Sequence, residues 1–241
     1  ATITEPVVIT LPFQNSEYGI TFRRGFERFF NSKAFSDLSL VVCGEIIPVH
    51  RAIISAWSPI LKKRVDELTV SVALEIELER EKKDIFKMMI LYMYTGSLTL
   101  LTSDLFPLFV MAHDFGVQPL VEQCGTQLGE QVNADNVFYW LDITNRYKCD
   151  SLKKICATYF AKNFALLMQN EKIFMELPLD LWAHMLRSDD LNVDSEEELF
   201  TWTLKYITRI TDSKQKSEAI YALMPCIRFS LMNPQFLVEK V

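Results

Sequence analysis

The sequence predicts an α+β, mostly helical protein: a small sheet flanked by helices, followed by an all-α helical domain. Three observations carry this. Seven Gly and nine Pro among 241 residues fall well below the about 12% of average usage, a scarcity of turn residues that favours long helices over sandwiches and barrels. A hairpin pattern stands between Leu38 and Val49. Beyond about Gln131 the sequence shows capped helical segments and no clear strand pattern.

The hairpin consists of Leu38-Ser39-Leu40-Val41-Val42-Cys43 and Ile46-Ile47-Pro48-Val49 around Gly44-Glu45, two β-branched, partly alternating runs joined at a turn. Next, Ile53, Ile54 and Trp57 recur at helical spacing, and Pro59 suits the first turn of a following helix. Val70 to Leu78 alternates apolar and polar residues over its whole length, the period of a strand with one face on a core. An amphipathic helix from Ile85 to Tyr94, a turn at Thr95-Gly96-Ser97, and a helix opened by Ser103 or Asp104 and closed near Gly116 complete this half, with Pro119 starting another helix. In the second half the helices are Asn133 to Tyr147, Asp150 to about Leu167, Glu171 to Leu177 and Pro178 to Arg187. Ser195-Glu196-Glu197-Glu198 reads as a capping box whose helix lines up Leu199, Trp202, Tyr206, Ile207 and Ile210 on one face.

Composition narrows the function classes. The balance of 25 Lys+Arg against 31 Asp+Glu leaves a net charge of −6, with no basic block longer than Lys62-Lys63-Arg64, which opposes direct nucleic-acid binding. The richest apolar run, Met88 to Tyr94, is far short of the roughly 18 residues a membrane span needs. The opening residues lack the basic and apolar regions of a secretory signal, and the missing initial Met points to a mature form or an excised fragment. Five scattered cysteines, Cys43, Cys124, Cys149, Cys156 and Cys226, suit reduced, packed thiols in a cytoplasmic or nuclear compartment.

No chemistry-bearing motif stands out. Gly-rich phosphate loops, Cys-x-x-Cys, His-Glu-x-x-His and Gly-x-Ser-x-Gly do not occur. His50, His113 and His184 lie in separate segments, and Cys149 and Cys156, seven apart, make at most half a zinc site. Glu196 to Glu198 are what a helix macrodipole favours in a first turn. The reading is a non-enzyme with no catalytic, cofactor or metal residues.

Two stretches resemble known domains. Phe35-Ser36-Asp37-Leu38-Ser39-Leu40, Val49-His50-Arg51-Ala52-Ile53-Ile54 through Ser58-Pro59, Tyr92-Met93-Tyr94-Thr95-Gly96 and Ala112-His113-Asp114-Phe115-Gly116 together resemble the BTB/POZ domain. Asn133-Ala134-Asp135-Asn136-Val137 and Leu191-Asn192-Val193-Asp194-Ser195 through Phe200 are similar to the BACK domain that follows it in kelch-like proteins. The division implied is an N-terminal extension over 1–18, a BTB/POZ domain over 19–130 and a BACK domain over 131–241. Kelch repeats, with a period near 50 residues, do not occur in these residues.

The resemblance implies a protein-interaction adaptor that dimerises through its BTB domain and recruits a cullin-3 RING ubiquitin ligase to an unidentified substrate protein. Ile20, Phe22, Phe26, Phe29 and Phe30 are either core or a homodimer interface, and the resemblance tilts them toward the interface. An apolar-x-Glu motif is implied for the cullin contact. Its nearest match is Val65-Asp66-Glu67 with Leu68 behind it, beside Tyr94, although it comes early in its loop and Lys62-Lys63-Arg64 interrupt the helix before it. The resemblance also places Asp37 and Arg51 in a charged pocket, read either as a partly buried ion pair or as a ligand-reading pocket. The alternative functions are an oligomerisation scaffold, structural or transcriptional, without cullin binding, and an unrecognised enzyme.

Overall fold

Alternating apolar residues at 38, 40 and 42, with a Cys-Gly pair after them, dictate the first recognisable piece of structure, a β-hairpin. In the computed structural model the described residues are 6–10, 17–68, 72–168, 178–187, 191–193 and 195–240. They fall into two compact units, Ala1–Gln131 with Tyr147–Leu152, and Val132–Arg146 with Lys153–Val241.

The first unit begins with β1 (Pro6–Thr10) and α1 (Glu17–Glu27), then β2 (Leu38–Val42), β3 (Glu45–Val49), α2 (Arg51–Trp57), α3 (Pro59–Asp66) and β4 (Ala73–Ile76). A 3-10 turn at Arg80–Lys82 leads into α4 (Lys83–Thr95), followed by β5 (Ser97–Leu101), α5 (Thr102–Asp114) and α6 (Gln118–Gly129). β2 pairs antiparallel with β3, Leu40 opposite Ile47, and parallel with β4, Leu40 opposite Leu74. Cys43 and Gly44 both take positive φ, 50° and 80°, the backbone a two-residue primed hairpin turn needs. Leu38, Leu40, Val42, Ile47, Val49, Leu74 and Ile76 are all buried, so the sheet turns one continuous apolar face to the helices.

α4 is the central helix. Phe86, Met89, Ile90, Tyr92, Met93 and Tyr94 are all buried on it, which is why its pattern is apolar on more than one side. Gly96, at φ 63°, ends it in the left-handed region with its amide bonded to the Tyr92 carbonyl at 2.7 Å.

The second unit is helical among its described residues: α7 (Val137–Tyr147), α8 (Asp150–Lys162), α9 (Phe164–Met168), α10 (Leu179–Leu186), α11 (Glu196–Thr208), α12 (Ser213–Leu223) and α13 (Pro234–Lys240). The end of α7 and the start of α8 group with the first unit. The core of the second unit is an aromatic stack. Trp182 lies nearly parallel to Phe164 at 5.9 Å and to Tyr206 at 6.1 Å, and the Arg209 guanidinium covers the outer Tyr206 face at 3.9 Å.

Several elements differ from the sequence reading. Two strands escape it: β1, inside the stretch read as an extension, and β5, where only a turn was expected. They pair antiparallel, Ile9 opposite Leu98, and neither run is long enough to announce itself without the other. β4 is four residues long rather than nine; Val72 before it is exposed, and 69–71 lie outside the described residues. Ser103 and Asp104 sit within the first turn of α5, because the helix starts at Thr102 with Leu101 as its N-cap. The segment read as one helix from Asp150 to Leu167 breaks at Asn163, whose side-chain amide donates to the Tyr159 carbonyl at 2.8 Å. The helix expected over 171–177 lies outside the described residues. At the capping box, Ser195 Oγ accepts from the Glu198 amide at 3.2 Å, while the Glu198 carboxylate accepts from Trp202 Nε1 at 3.4 Å.

Candidate docking groove

Ser58-Pro59 breaks the helical run into α2 and α3 and ties the start of α3 to the end of α5. The buried Ser58 hydroxyl donates to the Phe115 carbonyl at the end of α5 and accepts from the Leu61 amide at 2.9 Å. One side chain thus caps α3 and holds it to a residue 57 positions away. Helical spacing then splits α3 into two faces. Leu61 and Val65 point into the core, and Ile60 and Arg64 line an open groove of about 450 Å³. Its other walls are Leu78, Lys82 and Ile85 before and on α4, and Phe106, Pro107, Val110, Met111, Asp114 and Phe115 on α5. Gly116, at φ 69°, makes the close approach behind it: a Cβ there would lie 3.6 Å from the Ile60 side chain.

The residues expected to contact a cullin are split by this geometry. Val65 is 4% and Tyr94 3% exposed, so both side chains are core and offer no surface to a partner. Glu67 is exposed and Leu68 half-buried at the end of α3, where Glu67 falls one helical turn beyond Arg64. Sequence reasoning missed Ile60, Phe106, Val110 and Met111. The available signal was that α5 carries more apolar residues than one core-facing stripe requires.

Tyr94 has another task. The His50 amide donates to its hydroxyl at 2.9 Å, and His50 Nε2 lies 3.1 Å from the Ala34 carbonyl. That carbonyl needs a donor, so Nε2 carries the proton and Nδ1, 2.9 Å from Tyr94 Oη, accepts from the phenol. Burial pushes the Tyr94 hydroxyl up to about 12, against the lowering effect of the His50 amide bond. Phe29 packs edge-on against His50 and Phe30 against Tyr94, with Phe26 behind Phe29. Three of the expected interface aromatics therefore pack on the chain's own core, each remaining half-buried. The side chains of Ile20 and Phe22 lie outside the described residues.

Asp37 and Arg51 are brought together, but at the surface. The Asp37 carboxylate accepts from the Arg51 amide at 2.8 Å, at the start of α2, and Arg51 Nε donates to the Asp37 carbonyl at 3.3 Å. Asp37 is exposed and Arg51 half-buried, so the pair expected to be partly buried lies nearer the surface than that reading placed it. The Asp37 carboxylate meets a free amide in the first turn of α2. Cys124, Cys149 and Cys156 are buried and Cys43 exposed. No helix of the described residues is long and apolar enough to cross a membrane.

Comparisons with known proteins agree with this architecture. Residues 26–132 match the family model of the BTB/POZ domain, and residues 137–241 that of BACK, BTB And C-terminal Kelch. The chain belongs to the BTB–BACK family. Among curated relatives, it is 24% identical to the human Kelch repeat and BTB domain-containing protein 2 over 220 residues, 91% of this chain and 35% of that protein. It is 27% identical to human Kelch-like protein 5 over 91% of this chain and 29% of that one. The chain thus spans about a third of the length of these relatives. The solved BTB domain of human gigaxonin aligns at 21% identity over 48% of this chain and 92% of its own, with a TM-score of 0.39.

Proposed function

We propose that this chain is the docking part of an adaptor, which dimerises through its BTB domain and brings a cullin-3 ubiquitin ligase to a substrate protein. Within it, residues 19–130 act as the docking and dimerisation domain and 131–241 as the helical domain that follows in sequence. The observation that carries this reading is the apolar groove between α3 and α5, set in a BTB domain that a BACK domain follows. The mechanism is proximity. Two tethers on one dimer raise the local concentration of substrate at the ligase, and no bond chemistry is asked of the adaptor. Of the residues expected from sequence, Glu67 and Leu68 remain at the rim of the proposed contact, and Ile60, Phe106, Val110 and Met111 supply its apolar floor. The half-buried Phe26, Phe29 and Phe30 keep part of their surface for a second copy.

The test is a calorimetric titration of the chain with the N-terminal domain of cullin-3. Binding tighter than about 100 μM, roughly −5.5 kcal/mol, with loss of the signal in Val110→Asp and weakening in Glu67→Lys, is the expected result. Silence from the wild-type chain at that concentration would instead favour the oligomerisation scaffold.

A further inference from the structure

The groove is apolar, yet Arg64 stands half-buried on its wall with its charge unanswered. Its hydrogen bond, from a terminal guanidinium nitrogen to the Glu75 carbonyl, is 3.5 Å long, and among the described residues no carboxylate oxygen lies within 4.0 Å of it. The second cation of the groove is different. Lys82 is bridged by Glu79 at 2.8 Å. Among the described residues the anion lining the groove is Asp114, on α5, with the His113 ring nitrogen 3.3 Å from its carboxylate. Among the described residues the groove therefore carries an unmatched guanidinium on α3, whereas its carboxylate, Asp114, acts electrostatically on Lys82.

We infer that the groove selects a partner helix carrying a carboxylate about one turn from an apolar anchor, and that Arg64 is the residue that reads the carboxylate. The inference rests on the groove being a docking site and adds which chemistry fills it. A guanidinium presents a planar fork of donors that matches both oxygens of a carboxylate, and such charge-assisted pairs strengthen where the surroundings are apolar. The anchor fills the floor made by Ile60, Ile85, Phe106, Val110 and Met111. Arg64 is thus a specificity-determining residue, separate from the shape of the groove.

The test uses indole-3-propionate, an apolar ring with a carboxylate, and its neutral amide, titrated into the whole chain while the methyl NMR signals of Ile60, Val110 and Met111 are followed. Arg64→Met is the informative variant, because it keeps an apolar stem and removes the charge. The acid is expected to shift these methyls saturably, with affinity about tenfold weaker for the amide and for the acid on Arg64→Met, and Arg64→Lys in between. Equal affinity for acid and amide, an unchanged Arg64→Met, or no shift with the acid at about 10 mM, a range reached by weak fragments, would overturn the inference. Arg64-dependent binding of the acid in a chain that ignores cullin-3 would leave the inference standing and remove the cullin reading. Cullin-3 binding lost in Val110→Asp but unchanged in Arg64→Met would do the reverse.

Discussion

The Ser58 hydroxyl donates to the main-chain carbonyl of Phe115 and in the same position accepts from the Leu61 amide. A single buried oxygen thus closes the start of α3 and the end of α5 on each other, and these two helices are the walls of the groove. Removing it strands a buried amide and a buried carbonyl. Ser58→Ala should lower unfolding stability by about 1–3 kcal/mol in urea titrations. A change below about 0.5 kcal/mol, the scale of ordinary surface substitutions, would show that water replaces the hydroxyl and that the two helices are held by other contacts.

Glu122 does for α8 what Ser58 does for α3. Its carboxylate accepts from the Ser151 amide at 2.8 Å and the Asp150 amide at 3.3 Å, while Gln118 donates to it at 2.7 Å. Burial pushes this carboxyl up, but these bonds outweigh it and hold it below its ordinary value of 4.5. A depressed folded value means that the stabilisation is present above the ordinary value and is lost as pH falls through the folded one. Glu122→Gln should cost about 0.5–2 kcal/mol near neutrality, as loss of a helix cap does. Its denaturation curve should converge on the wild-type curve below pH 4.5. A gap independent of pH would assign the effect to packing.

At Gly125, α6 passes close to the start of α8. A Cβ there would meet Cys149 Sγ at 2.2 Å and Ser151 Oγ at 2.9 Å, and Cys149 is fully packed. Helix propensity alone favours Ala over Gly by about 1 kcal/mol. The clash should reverse the sign, with Gly125→Ala destabilising by about 1–3 kcal/mol. Adding Cys149→Ala to Gly125→Ala should recover part of the loss. A double variant no better than the sum of the two single ones would place the strain elsewhere.

Tyr94→Phe should cost about 1–3 kcal/mol, because the His50 amide and Nδ1 lose their shared partner. The phenol is raised to about 12 from 10.0. A raised folded value gives a stabilisation that is whole below the ordinary value and is lost as pH rises through the folded one. The wild-type chain should therefore lose stability between pH 10 and 12 more steeply than Tyr94→Phe, read from thermal midpoints. Parallel curves would count against a buried, proton-retaining phenol.

What the sequence revealed and what it hid follow from the range of the interactions. The hairpin, the Ser58-Pro59 break and the Ser195 cap are set by neighbours within a few residues, so local pattern suffices to find them. β1 is a strand because Ile9 meets Leu98 across nearly ninety residues of chain, and five residues of apolar run carry no such information by themselves. The groove was hidden for the same reason. Ile60 and Val110 look like surplus apolar residues until the fold brings both to one groove. Val65 and Tyr94 are buried, which sequence spacing cannot show, because it places a residue on an element without saying which face that element turns inward. Only the fold shows that Arg64 and Glu67, not Val65, stand on the outer side of α3.

Hydrogen exchange with and without the N-terminal domain of cullin-3 tests the proposed docking surface most directly. Exchange should slow in peptides covering Pro59–Asp66 and Thr102–Asp114, an effect abolished by Val110→Asp. Slowed exchange confined to other segments, or none while the two proteins demonstrably form a complex, would contradict it.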